Sequence, residues 1–559
     1  MKTMILLAAF LASSLVLAPA SLARQASSNT PASAADARPD AQKPDAKKDD
    51  ARPKPFVVHP EAPSVTHHTV TIAGQPVHYT ATAGTLTLFD EDKDNKPTAK
   101  IFYISYRRTE RPHADYEKFV KDFKAQKGED ATPPSNYPDA STRPITFSFN
   151  GGPGSSSVWL HLGVFGPKRV NYIDEAGHPG PPPYRVIENA YSLLDVSDFV
   201  FIDPVSTGYS RAEEGVSEKD FHGVESDIAS VAEFIRRFLT TDQRWGSPKF
   251  VAGESYGTTR AAGLTDFLND RHGIAVNGVV LVSAVLEFGS IRFAPGNDAP
   301  FMLFMPSYAA SAHFHKRCAE RYQRMPLDVF LNEVRDYTLG EYGSALLKGS
   351  TITDEEKDRV AQRLSEYTGL SAEYLKRANL RVSQPRFCKE LLRDASRTVG
   401  RFDSRFTGID IDDAGESYEY DPSYAAIRSN YTQAFNGFVR GELGYTSDLS
   451  YEILTNVQPW SFDPAGNNRP LNVAERLRGV MHEQPYLRVL LASGYYDLAT
   501  PFFAADFTRD HMMLAPDRRG NFTTKYYEGG HMMYLHRPSL EQMRKDLLEF
   551  YRETPAGGR

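Results

Sequence analysis

The chain has 559 residues, of which 41% are hydrophobic, 24% charged and 12% aromatic. That is apolar material for a large core, and the length points to roughly two to four structural units rather than a disordered or fibrous chain. A formal charge of −7 is small for this size and excludes the strongly basic surface that nucleic acid demands of a partner.

The opening "MKTMILLAAFLASSLVLAPASLA" has one lysine, an apolar run and the small-residue end Ser21-Leu22-Ala23. This pattern predicts a signal peptide over 1–23, cleaved after Ala23, and so an exported protein, periplasmic or secreted. No later stretch has the roughly 18 consecutive apolar residues of a membrane span, so none is expected after cleavage. Residues 24–56 are Ala, Pro, Asp and Lys with almost no large apolar side chains. Such a segment cannot offset the entropy of ordering it and is expected to be a disordered linker.

From about Thr69 to Tyr106 the pattern is a β-meander, with Gly74 and Gly84 as its expected break points. After Pro144 strands alternate with helices. "ITFSF" (145–149), "FVFI" (199–202) and "VVLVSAV" (279–285) read as buried strands, and Ile228, Val231, Ile235 and Phe238 recur at helical spacing. This alternation means a mostly parallel sheet with right-handed crossovers. The rhythm stops after Gly289. Residues 290–485 are irregular and aromatic-rich, with helical stretches "DEEKDRVAQRLSEY" and "SAEYLKRANL". The strand signal returns at "YLRVLLASGYYD" and "NFTTKYYEGGH", and an amphipathic helix follows Pro538. The expected architecture is an α/β domain over 57–289 and 486–559, interrupted by a large, mainly helical cap insertion over 290–485.

Cys318 and Cys388 are the only cysteines, read as one disulfide or two buried thiols. "HFHKRC" groups His313, His315 and Cys318, but it lacks the second ligand pair of a metal site. No metal or cofactor is expected.

The chemistry concentrates in "FVAGESYGTTRAAGL" (250–264). Gly253 and Gly257 flank Ser255 between a strand and a helix, the nucleophile elbow of the α/β-hydrolase fold. The helix N-terminus adds a positive dipole end for an oxyanion. A serine needs a base and the base an orienting carboxylate, in the chain order Ser, acid, His. Asp497 and His531, each just past a strand, fill those places, with His536 the weaker alternative. The oxyanion hole is expected from the N–H of Tyr256 and, in the glycine-rich turn "FSFNGGPGSSSVWL", of Gly152.

Four blocks, "NGGPGSSS", "DFVFIDPVSTGYS", "GESYG" and the pair "SGYYD" with "GGHMM", resemble the serine carboxypeptidases in content and order. The insertion resembles that family's cap, and "MPSYAASAHFHKR" (305–317) a segment of its bacterial members. The resemblance implies removal of C-terminal residues from peptides with a free C-terminus, through an acyl-enzyme. It implies Ser255 as nucleophile, His531 as base and then acid, Asp497 as its orienting partner, and Asn150 and Glu254 as ligands of the substrate's terminal carboxylate. Glu254 then has to hold a proton, since two ionised carboxylates repel. Two departures stand out. Ser155 replaces the family's usual Cys after GGPG, and in "GVFGP" Val164 stands where the family carries a second Glu. An esterase or acyltransferase on the same framework is the alternative reading. A non-catalytic binding protein is a third, against which the Ser, Asp, His order stands.

Overall fold

The computed structural model describes residues 62–91, 94–463 and 468–555. The expected signal peptide and linker lie outside the described residues. The meander comprises β1 (Ser64–Ile72), β2 (Gln75–Asp90) and β3 (Lys96–Thr109), paired antiparallel. Gly74 makes the first turn at φ 77°. Gly84 is no break point: β2 runs straight through it, opposite Tyr103. Its missing side chain instead admits Pro63, which a Cβ at this position would meet at 2.7 Å.

Six strands continue the sheet: β4 (Ile145–Phe149), β5 (Asp198–Ile202), β6 (Lys249–Glu254), β7 (Gly278–Val282), β8 (Arg488–Gly494) and β9 (Phe522–Tyr527). The order is β1-β2-β3-β5-β4-β6-β7-β8-β9, parallel from β5 onward, with the two-residue strand Arg211–Ala212 pairing on β3. Every residue of β4, β5 and β7 is buried, as expected of strands covered on both faces. Even the polar Thr146 of "ITFSF" is inside, its hydroxyl 2.7 Å from both Ser197 Oγ and Tyr551 Oη.

Helices α1 (Val224–Thr241) and α2 (Tyr256–His272) cover one face, burying Ile228, Val231, Leu264 and Leu268 against Phe147, Val251 and Leu281. Three further helices matter for the site: α3 (Pro422–Gly441), α4 (Ala474–Glu483) and α5 (Arg537–Glu553). The apolar stripe of α5 covers the other face together with Ile427, Tyr431 and Phe435 of α3. Residues 290–485 are mainly helical, and Tyr308, Phe330, Leu364 and Phe387 share a core with Leu498 and Phe502 from beyond that segment. Leu477 and Met481 of α4, within the same segment, pack with α1 and α2. Cys318 and Cys388 are free and buried, which leaves the two-thiol alternative; burial pushes the Cys318 thiol up to about 11. His313 and His315 face the main-chain carbonyls of Met325 and Ser404. Among the described residues, no helix is long and apolar enough to cross a membrane.

One buried ionic knot aligns the strands that carry the site. Asp198, at the start of β5, takes Arg143 Nε at 3.0 Å on Oδ1 and Arg244 at 2.6 Å on Oδ2. The two arginines stand just before β4 and β6, so one carboxylate ties three strand entrances together. Removing one partner strands buried charge. Asp198→Ala is expected to cost about 3–5 kcal/mol, seen as a lower denaturant midpoint and Tm.

Candidate active site

The turn between β6 and α2 is as tight as its sequence predicts. A Cβ on Gly253 would lie 2.1 Å from Gly257 O, and one on Gly257 would lie 2.9 Å from Phe149 O. Neither position admits a side chain. Ser255 between them has φ 59° and ψ −130°, a strained conformation for a residue with a Cβ. Its N–H donates to Val282 O at 3.0 Å, anchoring the elbow to β7.

The glycine-rich turn after β4 meets this elbow directly. A Cβ on Gly151 would stand 2.4 Å from Tyr256 N. Tyr256 opens α2, so its N–H has no intrahelical acceptor, while its ring is buried in the core. Asn150 is held at both ends: its Oδ1 accepts from Leu160 N–H at 3.0 Å and its carbonyl from the buried Arg260 at 2.7 Å. Arg260 is itself paired with Asp227 at 2.8 Å. With Oδ1 occupied, the Asn150 amide NH₂ is the group left to face the site.

Asp497 and His531 follow β8 and β9 and are hydrogen-bonded, Oδ2 to Nδ1 at 2.8 Å, both nearly inaccessible. The carboxylate is saturated: Oδ1 accepts from Ala499 and Thr500 N–H, and Oδ2 also accepts from Thr500 Oγ1. Burial works against protonation of His531, but the charge and hydrogen bond of Asp497 outweigh it, with Glu254 adding and Arg401 opposing. The net shift is upward. Phe402 stacks on the imidazole at 4.9 Å and 14°. Nδ1 is committed to Asp497, which leaves Nε2 as the free ring nitrogen. His536 is outside this arrangement, its Nδ1 2.8 Å from Ser539 Oγ at the start of α5.

Asn150, Gly151, Gly152, Glu254, Ser255 and His531 line one cavity of about 200 Å³. Ser255 and His531, the latter bonded to Asp497, both line it. A larger surface groove beside Glu214 and Arg236 contains none of the predicted site residues.

Glu254 is buried in the cavity wall, and burial lifts its carboxyl to about 7, against the opposing pull of His531 and of hydrogen bonds from Tyr534 and Asn150. Val164 is buried among apolar groups and does not reach the cavity. Glu254's partner is instead Tyr534, whose hydroxyl donates to Oε2 at 2.6 Å. The Tyr534 ring lies over Gly163, where a Cβ would come within 2.3 Å of it. Tyr534 was not legible beforehand; its one sequence signal is its place three residues after His531 in "GGHMMY".

Residues 133–291 match the family model described as serine carboxypeptidase. The pheromone-processing carboxypeptidase KEX1 of Candida albicans is 23% identical over 254 residues, 41% of this chain and 34% of that one. Serine carboxypeptidase-like 26 of Arabidopsis thaliana is 25% identical over 163 residues, 28% of this chain and 33% of its own length. The matches thus span about a third of these curated relatives. Among solved structures, the prohormone-processing carboxypeptidase Kex1Δp of Saccharomyces cerevisiae is 16% identical with a TM-score of 0.49, covering 85% of this chain and 91% of that one.

Because Asp497 is the main group that raises His531, Asp497→Asn is expected to lower the imidazole's titration midpoint, with only the charge of Glu254 left to oppose burial. An NMR titration of the His531 ring checks this; an unchanged midpoint would contradict it.

Proposed function

We propose that this chain, a relative of the serine carboxypeptidases through residues 133–291, removes C-terminal residues from peptides by an acyl-enzyme route. In this reading Ser255 Oγ attacks the last peptide carbonyl as its proton passes to His531 Nε2. Asp497 holds the imidazole in the correct tautomer and stabilises the imidazolium. The developing oxyanion meets the N–H groups of Tyr256 and Gly152, donors that need no reorganisation during the reaction. Collapse breaks the C–N bond, and His531 returns the proton to the departing amine. Water, deprotonated by His531, then attacks the acyl-enzyme, and Ser255 leaves with its proton restored. Residues 1–23 support export before any of this takes place.

The observation that carries the peptidase reading is Glu254. A carboxyl buried in the wall of the same cavity, one residue before Ser255, has no role in the acyl transfer itself. When protonated it donates to a substrate carboxylate beside the Asn150 amide; when ionised it repels that carboxylate. Its value of about 7 puts the change from donor to repeller near neutrality. Affinity for free-acid peptides is therefore highest at acidic pH and falls as pH rises through that value. Tyr534 keeps Oε2 occupied by a neutral donor, which directs any proton on Glu254 to the other oxygen.

Two outcomes check this. N-blocked dipeptides with a free C-terminus are expected to be cleaved far better than their amides at pH 5–6, with KM for the free acids rising above neutrality. In Glu254→Gln that rise disappears, because an amide donates without titrating. Equal cleavage of acids, amides and a simple aryl ester would favour the esterase alternative. Separately, Tyr534→Phe removes a donor that favours ionised Glu254, so the rise in KM is expected to move upward by about one pH unit or more. The same change in the Glu254→Gln background is expected to have no such effect.

A further inference from the structure

Three charged side chains line the catalytic cavity: Glu254, His531 and Arg401. The first two have roles above; Arg401 has none. It belongs to the 290–485 segment, and its main chain is fixed from both sides. Its N–H donates to Asp421 Oδ1 at 3.1 Å, and its carbonyl accepts from Leu498 N–H at 3.0 Å. The next residue, Phe402, is the one stacked on His531. The backbone that carries Arg401 is thus as well placed as the histidine itself.

Its side chain is the opposite case. The neighbouring carboxylates are committed elsewhere. Asp403 is gripped by Arg405 through Nε at 3.0 Å and a second nitrogen at 2.7 Å. Asp421 accepts the main-chain N–H groups of Arg401, Phe402 and Ser423. The Arg401 guanidinium rests 5.3 Å from the centre of the Phe402 ring, and no carboxylate among the described residues forms an ion pair with it. The rest of the lining is apolar or neutral, including Trp159, Tyr424, Ile427 and Leu454. A guanidinium carries five donors, no acceptor and a charge at every working pH, and in such surroundings it favours a planar anion. The charge of Arg401 acts on His531, whereas the groups around Glu254 are His531, Asp497, Tyr534 and Asn150.

We propose that Arg401 is a specificity-determining residue that binds an acidic side chain of the substrate, so that peptides with Asp or Glu beside the scissile bond are preferred. The proposal rests on the reading of the cavity as the peptidase site, with Asn150 and Glu254 taking the terminal carboxylate. A side-chain carboxylate next to the reacting carbonyl then has one cation within the same cavity to meet it, and a lysine or arginine side chain has a like charge against it.

The test is a panel of N-blocked dipeptides bearing Glu, Gln or Lys at either residue of the scissile bond, each as free acid and as amide. The panel is assayed with the wild type, Arg401→Gln, Arg401→Lys and Arg401→Glu. For the wild type, kcat/KM is expected to favour Glu over Gln by about tenfold or more at one of the two positions. Arg401→Gln is expected to bring that ratio to about one, Arg401→Lys to keep most of it, and Arg401→Glu to invert the preference toward Lys. A merely structural role would lower all substrates alike and leave the ratios unchanged, overturning the proposal. So would a loss of acid-over-amide discrimination in Arg401→Gln with the Glu/Gln ratio intact, which would assign Arg401 to the terminal carboxylate. Failure of the peptidase reading looks different: the wild type would then treat acids and amides alike, whatever its Glu/Gln ratio.

Discussion

The turns after β4 and β6 contend for the same space, and the site depends on how that contest is resolved. Side chains at 151, 253 and 257 would each collide with main chain of the other turn or of the elbow itself. With three glycines the two loops close to contact, and Arg260 of α2 ties the turn after β4, through Asn150 O, to Asp227 of α1. Everything polar in the cavity follows from that closeness. Ser255 is forced into a positive φ, Tyr256 N–H is turned to the facing loop, and Asn150 comes to rest beside Glu254. An elbow without the facing turn would present a serine to solvent; the facing turn makes it part of an enclosure.

Within the enclosure two carboxyl groups receive opposite treatment. Asp497 is saturated by two N–H groups, a hydroxyl and an imidazole. Glu254 is equally buried but is served only by Tyr534 and the Asn150 amide, and its carboxyl stays near neutrality, at about 7. The two buried carboxyl groups thus differ in how many donors the fold supplies to each. Val164 does not leave a gap in this scheme, because the partner of Glu254 comes from a different loop, and it is a phenol.

What was legible in the sequence was local. The elbow is a steric pattern within five residues, the strands are periodic runs, and the order Ser255, Asp497, His531 follows from chain topology. The helix His113–Lys127 went unread although Tyr116, Phe119, Val120 and Phe123 recur at helical spacing; the stripe is short and none of its residues is fully buried. Gly84 was misread because a glycine that makes room for Pro63 looks the same in sequence as one that makes a turn. Tyr534 and Arg401 were missed because neither is marked by its neighbours in the chain. Their meaning lies in contacts made across hundreds of residues, such as that of Tyr534 with Glu254, and in the lack of one.

The segment around Arg401 also bears on how the long insertion relates to the catalytic loops. Leu498 N–H donates to Arg401 O, His531 N–H to Phe402 O, and Ser404 N–H to Tyr496 O, while Gly530 N–H donates to Asp403 Oδ2. Gly530 has no room for a Cβ against Phe402 and Asp403. Residues from both loops that carry Asp497 and His531 are thus laced, main chain to main chain, to one short stretch of the insertion. Such a stretch does not slide as a detachable cover: moving it requires breaking the bonds that hold the His531 loop. The wall that bears Arg401 and the base that serves Ser255 are one mechanical unit, so the chemistry of the cavity and its selectivity are set by the same backbone.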